Sequence, residues 1–273
     1  MNLDFQELLK TATKATYLAG KEILRQYKSE YETEIKQDGS PVTSAYLAAN
    51  DILMKYLQPT KITVISEESG HYTHEFRQNN AYWCIDPIDG THDFVGRTDE
   101  FCVSVGLVDE NTSKLGVLYA PALDLFYFAA EGIGSFKFNS SFDNMEKNLG
   151  GDDFLDYLIS NSESLPNHPL QEKQMFMASR YHRHPKIEAH INKLKEKYPD
   201  LELVTMGSAI KLGLMAERKA NEYLRFTRFN FWDVAGGHAI CKYAGLKLLQ
   251  PNTDLEINYE REDMRIEGYA MKW

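Results

Sequence analysis

Short apolar runs that stop at carboxylates constrain this chain more than any other feature. Ile62 to Ile65 ends at Ser66-Glu67-Glu68, and Tyr82 to Ile85 ends at Asp86-Pro-Ile-Asp89-Gly-Thr91. Runs of this length read as strands, so the chain delivers acids at strand ends. A further acid, Asp233 in Phe229-Asn-Phe-Trp-Asp-Val-Ala-Gly-Gly237, stands ahead of a helical pattern. Oxygen-only clusters of this kind suit Mg²⁺, which prefers a few carboxylates with water and substrate phosphate over a closed protein cage.

Spacing adds detail. In a bent segment stiffened by Pro87, Asp86 and Asp89 can point to one side, and the free carbonyl of Ile88 can act as a further hard ligand. Gly90 and Thr91 offer backbone N–H groups, the usual local cradle for a phosphate. Together these features point to a metal-assisted phosphatase. Each also has a plainer reading. Asp-Pro-Ile-Asp-Gly-Thr is a turn composition, Glu67-Glu68 could face solvent, and Asp233 could be only a helix N-cap. Gly236-Gly237 inside that helix costs about 1 kcal/mol per glycine relative to alanine, which calls for close approach of a ligand or another backbone.

With 273 residues, 43% of them apolar, the chain can bury a substantial core as one large domain or two modest ones. Its net charge of −10, and a basic run Lys193-Leu-Lys-Glu-Lys197 that mixes signs at helical spacing, argue against a nucleic-acid partner. An acidic protein still binds a phosphorylated small molecule if metal ions invert the local field. Cys84, Cys102 and Cys241 lie in apolar segments and read as buried free thiols without disulfide partners, which fits a reducing compartment. The N-terminus lacks a signal-peptide pattern, and no run of about 18 apolar residues occurs. The expected location is the cytoplasm, free or peripheral at the inner membrane.

Along the chain, residues 3–27 carry apolar side chains three or four apart, and Thr43 or Ser44 could cap a second helix through Ala49, Leu53 and Tyr56. Phe101 to Leu107, Lys114 to Tyr119, Leu125 to Ala129 and Ser135 to Asn139 alternate between turn signals as antiparallel strands do. Residues 139–156 are polar, and a boundary there divides an N-terminal α+β half, 1–145, from a C-terminal α/β half, 146–273. In the second half, strands at 174–179, 201–205 and 221–226 alternate with helices from Pro185, Ser208 and Asp233. The expected fold class is therefore α/β, a layered α+β sandwich. His182 and His184 lack a third zinc ligand, and Ser66 and Ser104 lack a Ser-His-Asp context.

Taken in order, Glu67-Glu68 after a strand, Asp86-Pro-Ile-Asp-Gly-Thr-His-Asp-Phe94 and Trp232-Asp-Val-Ala-Gly-Gly237 resemble the inositol monophosphatase superfamily of Mg²⁺-dependent, lithium-sensitive phosphatases. The resemblance covers nearly the whole chain, including Ser40-Pro-Val-Thr43, Tyr119-Ala-Pro121 and Ala130-Glu-Gly132. Within the superfamily, the first motif with Glu100-Phe101, Ser179-Arg-Tyr-His182, Gly207-Ser-Ala-Ile-Lys211 and Tyr223-Leu-Arg225 is most similar to the CysQ-type 3′(2′),5′-bisphosphate nucleotidases. Asp93 stands where inositol phosphatases usually carry Asn.

This resemblance implies an αβαβα phosphatase fold with the metal site in a crevice between its halves. It implies hydrolysis of the 3′-phosphate of 3′-phosphoadenosine 5′-phosphate to AMP and phosphate. The alternatives are an inositol monophosphatase-like enzyme and a non-catalytic phosphonucleotide-binding protein. Glu67, Asp86 and the Ile88 carbonyl would hold one Mg²⁺, and Asp86, Asp89 and Asp233 a second. Glu67 and Thr91 would orient the attacking water, and the N–H groups of Gly90 and Thr91 would take phosphate oxygens. Lys211 and Arg225 are candidates for the substrate's other phosphate, although either could instead serve an ion pair. The family usually has an acid where this chain has Tyr46. That acid helps a third metal or the attacking water, so a weakened third site and reduced activity or Li⁺ sensitivity are expected. Asp51 lies on the wrong helical face to replace it. The implied partner is a phosphorylated nucleotide; a homodimer stays open.

Overall fold

A computed structural model describes residues 3–28, 33–35, 41–69, 81–170, 172–181 and 184–273, with 33–35, 41–43 and 69 described as backbone. Ser40 and His182 lie outside these residues. Helix α1 (Phe5–Tyr27) starts where Asp4 accepts from the N–H groups of Gln6 and Glu7 at 3.1 and 3.2 Å, satisfying two of the open amides of its first turn. A two-stranded ladder, β1 (Thr33–Ile35) with β2 (Pro41–Thr43), leads into α2 (Ser44–Leu57). Ala12, Ala15, Ala19 and Ile23 of α1 and Ala45, Ala49 and Leu53 of α2 are buried in one core. Small residues let α1 lie close to the sheet below it. A Cβ on Gly20 would come within 2.2 Å of the Tyr119 ring.

That sheet has 7 strands in the order β3 (Thr63–Ser66), β4 (Tyr82–Asp89), β5 (Cys102–Asp109), β6 (Thr112–Ala120), β7 (Leu125–Ala130), β8 (Gly134–Phe138), β9 (Ser162–Ser164). Only the β3–β4 pair is parallel; the others are antiparallel. Alternation sorts the side chains. Trp83, Ile85, Val103, Val105, Val117 and Phe128 face α1 and α2, while Cys84, Cys102, Leu118, Tyr127 and Ala129 face the opposite core. Both faces are covered, so these strands read as continuous apolar runs. A short helix α3 (Thr91–Val95) follows β4, and α4 (Phe142–Asn148) and α5 (Phe154–Ser160) precede β9. Strand β9 lies beyond the boundary drawn at 145/146, so this sheet borrows an edge strand from the second half of the chain.

The second sheet runs β11 (Glu202–Met206), β10 (Met175–Ser179), β12 (Glu222–Arg225), β15 (Tyr269–Lys272), with β10 parallel to β11 and β12 and β15 antiparallel. Helix α6 (Pro185–Lys197) covers one face through Ile187 and Ile191 on Phe176 and Ala178. Between the sheets lie α7 (Ile210–Ala216) and α8 (Ala235–Tyr243), which share one core with Met177, Tyr223, Tyr269 and Met271. The result is an α-β-α-β-α stack. A minor ladder, β13 (Phe229–Asn230) with β14 (Arg265–Ile266), precedes α8 in space.

The paired glycines of α8 find their reason in this packing. A Cβ on Gly236 would meet the Val105 carbonyl oxygen at 2.8 Å, and one on Gly237 would meet Leu212 Cδ1 at 2.2 Å. The backbone of β5 approaches Gly236, and the Leu212 side chain of α7 approaches Gly237. Ser113 Oγ donates to the Ala235 carbonyl at 2.7 Å, and Ser104 Oγ donates to the Trp232 carbonyl at 3.2 Å. These bonds pin the start of α8 against β5 and β6.

Candidate active site

The β4–β5 ladder explains how Asp86 and Asp89 come to share a side. Asp86 pairs with Ser104 and Asp89 with Cys102, so β4 advances by one residue more than β5. Side chains alternate in a strand, and residues three apart would otherwise point to opposite faces. The extra residue is a β-bulge that turns Asp89 onto the face of Asp86. Pro87 fits there because an unpaired bulge position needs no N–H. Ile88 N–H donates to Asp86 Oδ1 at 3.0 Å, which fixes that carboxylate within the bend.

Glu67 sits in the 3₁₀ turn directly after β3, and its charge lies close enough to Asp86 to raise the pKa of that carboxyl. Asp233 arrives from a 3₁₀ turn, Phe231–Asp233, ahead of α8. It does not cap α8. Its Oδ2 instead accepts from Asn230 N–H at 2.8 Å, turning the chain back on itself. Carboxylate oxygens of Asp86, Asp89 and Asp233 lie within 4.8 Å of one another. All three, with Glu67, Ile88, Gly90 and Thr91, line a cavity of about 240 Å³.

Burial raises Asp86 well above the ordinary carboxylate range, and the neighbouring charges of Glu67, Asp89 and Asp233 push in the same direction. Asp233 is raised for the same reasons, burial first and then Asp89 and Glu67. Asp89 is raised by burial, against the pull of Lys211 and the Ala209 amide. Acids crowded out of water in this way are stable as anions only with cations between them. Hard carboxylate and carbonyl oxygens are the donor set of Mg²⁺, so the residues fit that ion.

The other wall of the cavity is basic and aromatic. Arg225 at the end of β12 donates from Nη1 to Ser179 Oγ at 3.2 Å, and its Nε has no hydrogen-bond partner among the described residues. Lys211 is buried; its ammonium donates to the carbonyls of Met206, at 3.2 Å, and Ser208. Burial lowers the Lys211 pKa. Tyr223 lies beside both cations. Burial alone would raise its phenol, but Lys211 and Arg225 outweigh that and lower it. Phe229, Tyr269 and Tyr181 complete the wall, and His92 and Tyr181 sit with ring centroids 6.0 Å apart.

Sequence reasoning placed Glu67, Asp86, Ile88, Asp89, Gly90, Thr91, Lys211, Arg225 and Asp233 at a site, and the fold brings all of them to this one cavity. It missed Tyr269, which reaches the site only through the C-terminal strand pairing of β15 with β12. It also missed a bridge across the crevice. Glu100 accepts from Arg180 Nε at 3.0 Å and from Gly207 N–H at 2.6 Å, tying the loop after α3 to the loop before α7. Asp93 accepts from Thr98 Oγ1 at 2.6 Å and packs against Gly207, where a Cβ would lie 2.4 Å from its Oδ2. His184 is the N-cap of α6, accepting from Lys186 N–H at 3.2 Å through Nδ1.

A layered α-β-α-β-α scaffold with an acid-lined crevice at a strand bulge defines a metal-dependent phosphatase. The chain belongs to the inositol monophosphatase family, whose model matches residues 4–268. Enzymes of that family are in general Mg²⁺-dependent, in keeping with the acidic cluster here. Among curated proteins it is similar to the 3′(2′),5′-bisphosphate nucleotidase CysQ of Buchnera aphidicola, at 32% identity over 88% of this chain and 83% of the relative. The protein of the same name from Shigella flexneri is 34% identical over 83% of this chain and 84% of its own. The crystal structure of CysQ from Bacteroides thetaiotaomicron superposes with a TM-score of 0.88 at 34% identity, covering 99% of this chain and 98% of that one. Inositol monophosphatase from Anabaena shares the fold, with a TM-score of 0.68 at 20% identity over 99% of this chain and 92% of that one.

Among the described residues, no helix is long and apolar enough to cross a membrane, and the three cysteines are free and buried.

Proposed function

We propose that the chain is a Mg²⁺-dependent 3′(2′),5′-bisphosphate nucleotidase that removes the 3′-phosphate of 3′-phosphoadenosine 5′-phosphate, giving AMP and phosphate. One observation carries the choice of substrate: the cavity has two poles. Asp86, Asp89 and Asp233 form an acidic pole that needs cations, and Lys211 and Arg225 form a basic wall of the same space. A bisphosphate has a dianion for each. An inositol monophosphate would leave the basic wall without an anion.

Glu67, Asp86 and the Ile88 carbonyl would hold one Mg²⁺, and Asp86, Asp89 and Asp233 would hold a second. When bound, the ions lower the pKa of water and neutralise charge on the attacking and leaving oxygens. The chain's own groups do the rest. Glu67 and Thr91 orient the attacking water, and the N–H groups of Gly90 and Thr91 hold the scissile phosphate from the N-terminal side of α3. Arg225 brings its guanidinium to the cavity wall, and Lys211 retains one of its three N–H donors beyond the two given to carbonyls. Both suit the second phosphate. Tyr46 supplies no carboxylate for a third ion, so two Mg²⁺ and a weak response to Li⁺ are expected.

The test is product analysis. With Mg²⁺ present, the bisphosphate nucleotide should yield AMP and phosphate in equal amounts, and chelation should stop the reaction. Nucleotide binding without phosphate release would make the protein a non-catalytic binder and overturn the proposal.

A further inference from the structure

Tyr46 is not a bystander at this site. It rises from the first turn of α2, is 1% exposed, and carries its hydroxyl to the metal-donor bend. The hydroxyl donates to the Ile88 carbonyl at 2.5 Å and lies 2.7 Å from Thr91 Oγ1. A phenol has one proton and a carbonyl can only accept. The Tyr46 proton is therefore committed to Ile88, and in the contact with Thr91 the threonine must be the donor. The chain of protons runs one way, Thr91 to Tyr46 to Ile88.

We propose that Tyr46 is a positioning residue for hydrolysis: it takes the Thr91 proton, so that the Thr91 oxygen presents only lone pairs to the cavity, and it holds the Ile88 carbonyl while doing so. This rests on the phosphatase reading above. Thr91 lines the cavity. With its proton engaged, it can accept a hydrogen bond from the attacking water but cannot donate to a phosphoryl oxygen. That orients the water without competing for the substrate. The chain ends at a backbone carbonyl, which is not a base, so it aligns the water and does not carry its proton away. Alignment has a cost elsewhere. A hydrogen bond to the Ile88 oxygen draws electron density from a group that is also a metal donor, and weakens it as a ligand.

The two consequences have opposite signs, which separates this role from simple packing. Tyr46→Phe keeps the ring and removes the hydroxyl. Substrate-free protein should bind Mn²⁺, used as a calorimetric probe in place of Mg²⁺, about threefold more tightly, because the Ile88 carbonyl is released. Turnover of the bisphosphate nucleotide should fall about tenfold, equivalent to about 1.4 kcal/mol, with KM changed less than about twofold. A Tyr46→Phe protein that loses metal affinity and turnover together, or keeps wild-type turnover, overturns the proposal. If the wild type releases no phosphate, the functional reading fails, while the Mn²⁺ measurement still decides whether Tyr46 restrains Ile88. Should Tyr46→Phe not fold, Thr91→Val reads the same chain from its other end. It should lower kcat with Mn²⁺ affinity unchanged, and a joint loss would refute the link.

Discussion

Arg225 gives the sharpest handle on substrate choice. It is mostly withdrawn from water, its Nη1 is held by Ser179 Oγ at 3.2 Å, and its guanidinium carbon lies 5.3 Å from the centroid of Phe229. The ring and the serine fix the fork on the cavity wall, where its charge meets an incoming anion. Charge-assisted hydrogen bonds to a buried partner are worth about 1.5–3 kcal/mol, which corresponds to about 10–100-fold in affinity. Arg225→Met keeps the apolar stem and removes the charge. Steady-state phosphate release should show KM for the bisphosphate nucleotide rising about 10–100-fold with kcat little changed, because the lost contact is to the phosphate that stays behind. Arg225→Lys should recover only part, since an ammonium lacks the planar fork. A substrate with a single phosphate should lose less than about threefold. Arg225 is also among the groups that pull Asp89 downward. An equal loss on both substrates would mean that it acts through the acids, and the reasoning would be wrong.

Two further predictions concern packing and charge. A Cβ on Gly116 would lie 2.0 Å from the Gly236 carbonyl oxygen, backbone against backbone, so Gly116→Ala must lift α8 off β6. Overpacking of this kind costs about 1–3 kcal/mol, lowering Tm by about 2–12 °C in a chain of this size, and it should weaken Mn²⁺ binding because Asp233 moves with α8. An unchanged Tm would show that the helix does not sit so close. In metal-free protein, Asp86 and Asp233 have folded pKa values raised by burial, so their contribution to stability is present below the ordinary carboxylate range and lost as pH rises through the raised values. Calorimetry in a chelator should therefore find a lower Tm near about pH 8 than near about pH 5, with Mg²⁺ stabilising more at the higher pH. A metal-free protein that gains stability across that interval would contradict the crowding of these acids.

Much of this was legible in the sequence because it is local. The three-four spacing from residue 3 to 27 became α1, and the apolar runs before Glu67 and Asp86 became β3 and β4. The bend at Pro87 is a bulge, and it has the consequence that Asp-Pro-Ile-Asp suggested, both acids on one face. What lay beyond reach depends on partners far along the chain. The short strand Tyr269–Lys272 carries no pattern of its own and is defined by its register with β12. Tyr46 reads as a missing acid, and only the meeting of α2 with the β4 bend shows what its hydroxyl holds. Gly236-Gly237 announced a close approach without saying to what; Val105 and Leu212 supply the answer. The polar stretch at 139–156 suggested a boundary, yet the first sheet continues to Ser164, since a composition shift does not report which sheet a later edge strand joins.

The choice of substrate rests on the two-pole cavity. The measurement that reaches it most directly is kcat/KM with Mg²⁺ for 3′-phosphoadenosine 5′-phosphate and for inositol 1-phosphate, determined side by side on the whole chain. A second phosphate seated on Lys211 and Arg225 predicts preference for the nucleotide by about a hundredfold. Equal or better hydrolysis of inositol 1-phosphate would contradict it, and would leave the basic wall without the role assigned to it here.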